Sequence, residues 1–163
     1  KKLIRKFKIS EANMSNCGFS KGENKAKFEE NSIVVSSSKG SAICFGYDDP
    51  TLEQRYGYLV KLKSNNIEGR NLFFYILDKT KKQGYLETRL GSGTEFYVIS
   101  PKFYYGLGYT FNFQNNSNKN MTSKNRVSEV EVYSFPVENI KNIKFTSKGY
   151  SPIKVEFLNS FTT

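Results

Sequence analysis

The side chains that could do chemistry in this chain are carboxylates, tyrosines and two cysteines. There is no histidine and no tryptophan. Acid–base catalysis needs two positioned carboxylates, and Asp48, Asp49, Glu53, Asp78, Glu87 and Glu95 are the candidates. Asp48 and Asp49 precede Pro50, where aspartate serves a turn for backbone reasons. Glu87 and Arg89 stand two apart, the spacing of a surface ion pair on a strand. The missing histidine removes the side chain that titrates near neutral pH and the commonest metal ligand. No Gly-x-Ser-x-Gly elbow is present, and Gly91-Ser-Gly93 reads as a hairpin tip. No phosphate-binding loop is present either. These patterns point to a domain that is not an enzyme.

Binding chemistry is better represented. Aromatic rings stack on the apolar faces of sugars and leave polar tips for hydrogen bonds. Phe103-Tyr104-Tyr105 lies between Pro101 and Gly106, outside clean strand alternation, and Tyr47 and Tyr56 flank the 48–55 segment. Tyr104, Tyr105, Tyr47 and Tyr56 are therefore the expected ligand surface. Asp48 and Asp49 are the candidates for a structural calcium, which takes carboxylate and carbonyl oxygens from loops; no other cofactor is expected. Cys17 and Cys44 are the only cysteines and cannot complete a four-ligand zinc site without histidine. An oxidising compartment would permit a disulfide between them, and a reducing one would leave two thiols.

Twenty-five Lys and Arg against 15 Asp and Glu give a net charge of +10. That charge suits an anionic partner such as lipid headgroups, an acidic polymer or nucleic acid. The lysines are scattered rather than blocked, which is the pattern of solvated strand faces and disfavours nucleic acid. Hydrophobic residues are 37% of the 163, enough for one domain with a real core. No apolar stretch approaches the ~20 residues that span a bilayer. The chain begins at Lys1, as expected of a processed chain or a segment of a longer protein.

The elements that must carry these residues read as strands. Tyr109-Thr-Phe-Asn-Phe-Gln114 alternates aromatic and polar residues with a period of two. The same period marks Tyr56–Leu62, Leu72–Ile76 and Val130–Val132. Further strands are expected at Leu3–Ile9, Ile33–Val35, Ser41–Tyr47, Tyr85–Leu90, Thr94–Ser100, Ile143–Phe145 and Ile153–Leu158. Residues 10–30 read as a long loop and Lys39-Gly40 as the turn of a hairpin. Asn65–Gly69 reads as a turn, 115–124 as a long loop, Pro136 as a strand end and Val137–Ile140 as one helical turn. About ten short strands without a helical pattern between them predict an all-β, two-sheet antiparallel jelly-roll-type sandwich over residues 1–163.

Several of these segments carry a resemblance. Gly57-Tyr58-Leu-Val60, Gly69-Arg-Asn-Leu-Phe-Phe74 and Tyr97-Val-Ile-Ser-Pro101 are followed by Gly108-Tyr109-Thr-Phe-Asn-Phe113, Asn116-Ser117, Asn125 and Val130-Glu-Val-Tyr-Ser-Phe-Pro136. Together they resemble the jelly-roll, carbohydrate-binding-module-like domains in extracytoplasmic parts of multi-spanning microbial membrane proteins, some of which resemble lipid-linked-sugar glycosyltransferases. The resemblance covers about half the chain and implies a binding or scaffolding domain outside the cytoplasm, tethered to a membrane portion of its own chain. A glycan or a membrane surface is the partner it implies, with no catalytic residues. The absence of tryptophan departs from such modules. A carbohydrate-binding module proper and a basic, polyanion-binding β domain are the alternatives.

Overall fold

In the computed structural model, residues 2–18, 22–135, 143–148 and 151–157 are described, the last two stretches as backbone. Pro136 and the expected helical turn at Val137–Ile140 lie outside the described residues.

The strand with the strictest alternation is the axis of the fold. In Tyr109–Asn116, Tyr109, Phe111, Phe113 and Asn115 are buried while Thr110, Asn112, Gln114 and Asn116 face outward. This strand, β10, is central in a five-stranded antiparallel sheet. Its neighbours are β5 (Ala42–Asp49) and β7 (Phe73–Asp78), with β2 (Asn13–Asn16) and β8 (Gln83–Arg89) at the edges. Phe111 lies opposite Tyr47 and Ile76, and Phe113 opposite Phe45 and Phe74. The Phe45 and Phe113 rings stack 4.8 Å apart, and Phe74 meets Phe113 at 5.0 Å. Cross-strand aromatic pairs of this kind stabilise a sheet beyond simple burial.

The facing sheet has eight strands. Along it run β12 (Ile143–Lys148), β13 (Ser151–Phe157), β9 (Gly93–Ile99), β6 (Tyr58–Glu68), β11 (Thr122–Ser134), β4 (Ser32–Ser38) and β3 (Glu23–Glu29), with β1 (Leu3–Lys6) paired to β11. The long β11 pairs β6 along one side; on the other, its first half pairs β4 and its second half pairs β1. Ile33, Val35, Val60, Leu62, Tyr97, Ile99, Val127, Val130 and Val132 face the rings of the other sheet and close one core. The result is an antiparallel β-sandwich whose only helical piece among the described residues is a 3-10 turn at Ile9–Glu11.

Among the described residues thirteen strands replace the expected ten or so, and the differences have physical causes. β2 and β3 lie within the expected 10–30 loop. Both are edge strands and nearly all of their residues are exposed, so they carry no burial alternation. The first strand stops at Lys6 with all four residues exposed, because it touches β11 over three residues at an edge. Phe7 and Ile9 then bend into the core while Leu3 stays in water. The Lys39-Gly40 turn joins no hairpin: β4 and β5 belong to opposite sheets. Gly91–Gly93 likewise carries the chain from β8 across to β9 in the other sheet. Asn65–Glu68 stays in β6, held by the extended β11 through two register shifts. The 115–124 loop shrinks to residues 117–121, since β10 runs to Asn116 and β11 starts at Thr122.

A polar bridge ties the two sheets, and a disulfide ties an edge strand to its neighbour within one sheet. Asn115, fully buried, donates to Ser37 Oγ at 3.0 Å and to Ser123 O at 2.9 Å, and accepts from Asn125 Nδ2 at 2.7 Å. These bonds cross from the five-stranded to the eight-stranded sheet and leave the buried amide satisfied. Cys17 and Cys44 form a disulfide that pins the segment after β2 to β5.

Two outcomes follow from this packing. Phe111→Ala is expected to cost ~3–5 kcal/mol in urea unfolding, through lost burial and a cavity; a loss below ~1 kcal/mol would contradict the inward register. Intact mass without reductant should be two protons lower than the dithiol form, and Cys17→Ala with Cys44→Ala should cost ~2–5 kcal/mol.

Candidate functional site

Three connections meet at the end of the sandwich where β10 begins: 50–57, 79–82 and 100–108. Gln54, fully buried, joins them. Its Nε2 donates to Asp78 Oδ1 at 2.9 Å and to Gly108 O at 3.0 Å. Its Oε1 accepts from Thr80 Oγ1, its backbone N–H donates to Tyr105 O at 3.0 Å, and its carbonyl accepts from Lys102 N at 2.7 Å. Leu107 N donates to Thr80 Oγ1 at 2.6 Å. Gly106, at φ +73°, lies so close to Gln54 that a Cβ there would collide with the amide, so the loop needs glycine on both grounds.

Asp78 is the anion of this cluster and is almost fully buried. It accepts from Gln54, from Tyr104 Oη at 2.6 Å, and from the backbone N–H of Thr80 and Lys81. Burial alone would raise its pKa, but these donors outweigh it and hold the carboxyl below the usual value of 3.8. Tyr104 is pushed up to about 12, by burial first and then by the Asp78 hydrogen bond and charge.

The sequence-predicted residues separate here. Tyr105 and Tyr56 stand out from the surface at 64% and 60% exposure. Arg55 lies 3.9 Å above the Tyr105 ring. Tyr104 is half-buried, tethered by Asp78, with Lys81 Nζ 5.0 Å from its ring. Tyr47 is not on the surface: on β5 it shares the inward phase with Phe45, packs against Phe7 and donates to Ile9 O at 2.9 Å. Asp48 and Asp49 are not brought together, because adjacent strand residues point to opposite faces. Asp48 pairs with Lys79 Nζ at 2.7 Å and accepts from Thr110; Asp49 accepts from Thr51 and faces Arg5 Nε at 3.7 Å. No group of three or more acidic, cysteine or histidine side chains is poised for a metal among the described residues. Glu53 pairs with Arg55, and Glu95 accepts from Tyr97 Oη and Gly91 N.

A second surface escaped the sequence reading. On the outer face of the five-stranded sheet, Phe73, Tyr75 and Leu77 of β7 lie half-buried beside Gln114, Asn112 and Thr110 of β10. On their other side are the exposed Arg89 and Glu87 of β8, opposite Phe73 and Tyr75 respectively. The Phe73 and Tyr75 rings are 6.0 Å apart. Arg89 sits 5.3 Å from the Phe73 ring and donates to Asn71 O and Asn116 Oδ1. Gly46 of β5 lies opposite Asn112, and a Cβ there would meet the Asn112 amide oxygen at 2.5 Å. The glycine therefore leaves room for that amide. The signal was legible in principle: Leu72–Asp78 is apolar on both strand phases, so two rings must face outward.

The acid limb of stability tests the loop cluster. A carboxyl whose folded pKa is depressed contributes stability above its unfolded value and loses it as pH falls through the folded one. Asp78→Asn is expected to lower the urea midpoint at pH 7, and the gap to the unsubstituted protein should narrow progressively below pH 3.8. A gap independent of pH would overturn the assignment of Asp78 as the anion.

No protein-family model and no curated protein matches the chain. Solved structures share its fold. The enzymatically active domain of bacteriophage CBA120 tailspike protein 4 superposes with a TM-score of 0.52 at 15% identity, over 78% of this chain and 20% of that one. This chain thus spans about a fifth of the tailspike chain. The carbohydrate-binding module CBM4 gives 0.51 at 11% identity, covering 70% of this chain and 78% of that one. TmCBM61, solved in complex with β-1,4-galactotriose, gives 0.50 at 10% identity, covering 78% and 91%. At these identities the likeness is one of fold: a two-sheet β-sandwich similar to that of carbohydrate-binding modules.

Proposed function

We propose that this domain is a non-catalytic carbohydrate-binding β-sandwich that works outside the cytoplasm as part of a longer, membrane-associated protein. The observation that carries the reading is the outer face of the five-stranded sheet. Phe73 and Tyr75 offer apolar ring surface between a row of amides, Asn112 and Gln114, and a row of opposite charges, Glu87 and Arg89. Rings pack against the C–H faces of a pyranose, while amides, carboxylate and guanidinium donate to or accept from its hydroxyls. The surface lies on rigid strands rather than on loops, which limits the entropy lost on binding. The fold shared with carbohydrate-binding modules supports the same class of ligand. The Cys17–Cys44 disulfide supports an oxidising compartment. The non-catalytic part of the reading rests on the carboxylates: Asp48, Asp49, Asp78, Glu53 and Glu95 are each held by cations or hydrogen bonds of the scaffold.

The loop tyrosines serve a sugar less well. Tyr104 is tied to Asp78, and one face of Tyr105 is covered by Arg55.

A glycan array followed by NMR titration tests this function. A binder with Kd on the order of 0.1–1 mM is expected, as stacking plus a few hydrogen bonds would give. Tyr75→Ala and Asn112→Ala should each weaken it at least about tenfold, and Tyr105→Ala should leave it unchanged. Chemical shifts confined to the 100–108 loop would move the sugar site there, and an array without any binder would remove the carbohydrate reading.

A further inference from the structure

The loop end presents apolar groups that the fold leaves in water. Phe103 is fully exposed, Leu107 is 60% exposed, and Tyr105 and Tyr56, on the 100–108 and 50–57 connections, are exposed as well. A rigid frame displays these side chains. Gln54 bonds both strands of the 100–108 loop, Thr80 holds Leu107 N, and Lys79 N donates to Gly108 O at 3.1 Å. Holding large apolar side chains out of the core forgoes the burial they would otherwise gain. Cations stand over neighbouring rings at the same end. Lys102 adjoins Phe103 in sequence and places its Nζ 3.6 Å from the Tyr85 ring, Lys81 lies over Tyr104, and Arg55 over Tyr105. The acidic neighbours are already engaged: Glu53 pairs with Arg55, Asp48 with Lys79, and Asp78 is buried under Tyr104.

We propose that this end docks onto the surface of a lipid bilayer containing anionic headgroups. Phe103 and Leu107 would enter the boundary between headgroups and acyl chains, and Tyr56 and Tyr105 would sit at headgroup level, where amphipathic rings are favoured. Lys102 and Lys81 would meet the headgroup phosphates and carboxylates, drawn by the surface potential of the membrane and by the +10 charge of the chain. A protein partner would fit the apolar tip, but the lysines at the same end favour an anionic lipid surface. This docking is independent of the sugar face on the five-stranded sheet.

The chain contains no tryptophan, so Phe103→Trp installs a single reporter at the tip. Vesicles of phosphatidylcholine, with and without phosphatidylserine, are the probe. The Trp fluorescence should shift to the blue with the mixed vesicles, be quenched by lipids brominated on the acyl chain, and stay unshifted with heparin. In co-sedimentation, Phe103→Ala with Leu107→Ala should weaken partitioning at least about tenfold. Lys102→Glu with Lys81→Glu should abolish the preference for phosphatidylserine and its salt dependence. Tyr75→Ala should leave vesicle binding intact. No partitioning at low salt would overturn the proposal. Partitioning that survives loss of Phe103 and Leu107, with no quenching, would overturn it too, reducing the effect to bulk charge attraction.

Discussion

The pleat of β10 is the constraint on which the rest of the molecule depends. Because successive side chains must alternate faces, burying Tyr109, Phe111 and Phe113 forces Thr110, Asn112 and Gln114 to the outside of the same strand. The inward rings set the register of both neighbours, since Tyr47 and Ile76 must lie opposite Phe111, and Phe45 and Phe74 opposite Phe113. That register in turn places Phe73 and Tyr75 beside Gln114 and Asn112 on the wet face. A slip of one residue would put amides into the core and rings into water, so core and candidate binding face are coupled by one backbone period.

The two ends of this strand are closed differently. At its far end, Asn115, Ser37, Ser123 and Asn125 form a satisfied polar bridge between the sheets. At its near end, Gln54 and Asp78 gather three connections into one body. Buried polar groups are costly when unpaired and rigidifying when fully paired, so both clusters set geometry more than they add net stability. Rigidity at the near end is what lets a loop display Phe103 in water instead of folding it back onto the sandwich.

A scaffold of this kind separates two surfaces with different chemistry. The sheet face mixes rings with amides and charges of both signs, suiting a hydroxyl-rich ligand. The loop end mixes exposed apolar groups with cations, suiting an amphipathic anionic surface. β7 links them, because it carries Phe73 and Tyr75 along its length and ends at Asp78.

The sequence by itself determined the all-β class, the central strands and most of the core, because period-two alternation in Tyr56–Leu62, Leu72–Ile76, Tyr109–Phe113 and Val130–Val132 marks inward residues, although the first of these strands begins only at Tyr58 and leaves Tyr56 in water. It also marked the 103–105 rings as leaving the strand pattern. Tertiary structure alone decided the edge strands β2 and β3, whose exposed residues carry no pattern, and the partition of β4 from β5 and of β8 from β9, where a local turn signal is the same whether the chain pairs with itself or crosses to the other sheet. It alone decided that Tyr47 belongs to the core while Tyr56 faces water, that Asp48 and Asp49 diverge, and that Phe73 and Tyr75 share a face with Asn112 and Gln114. Residue type and spacing record what a strand's own period requires; which side chains from distant strands meet depends on sheet order, and sheet order is set by long-range burial that no local window contains.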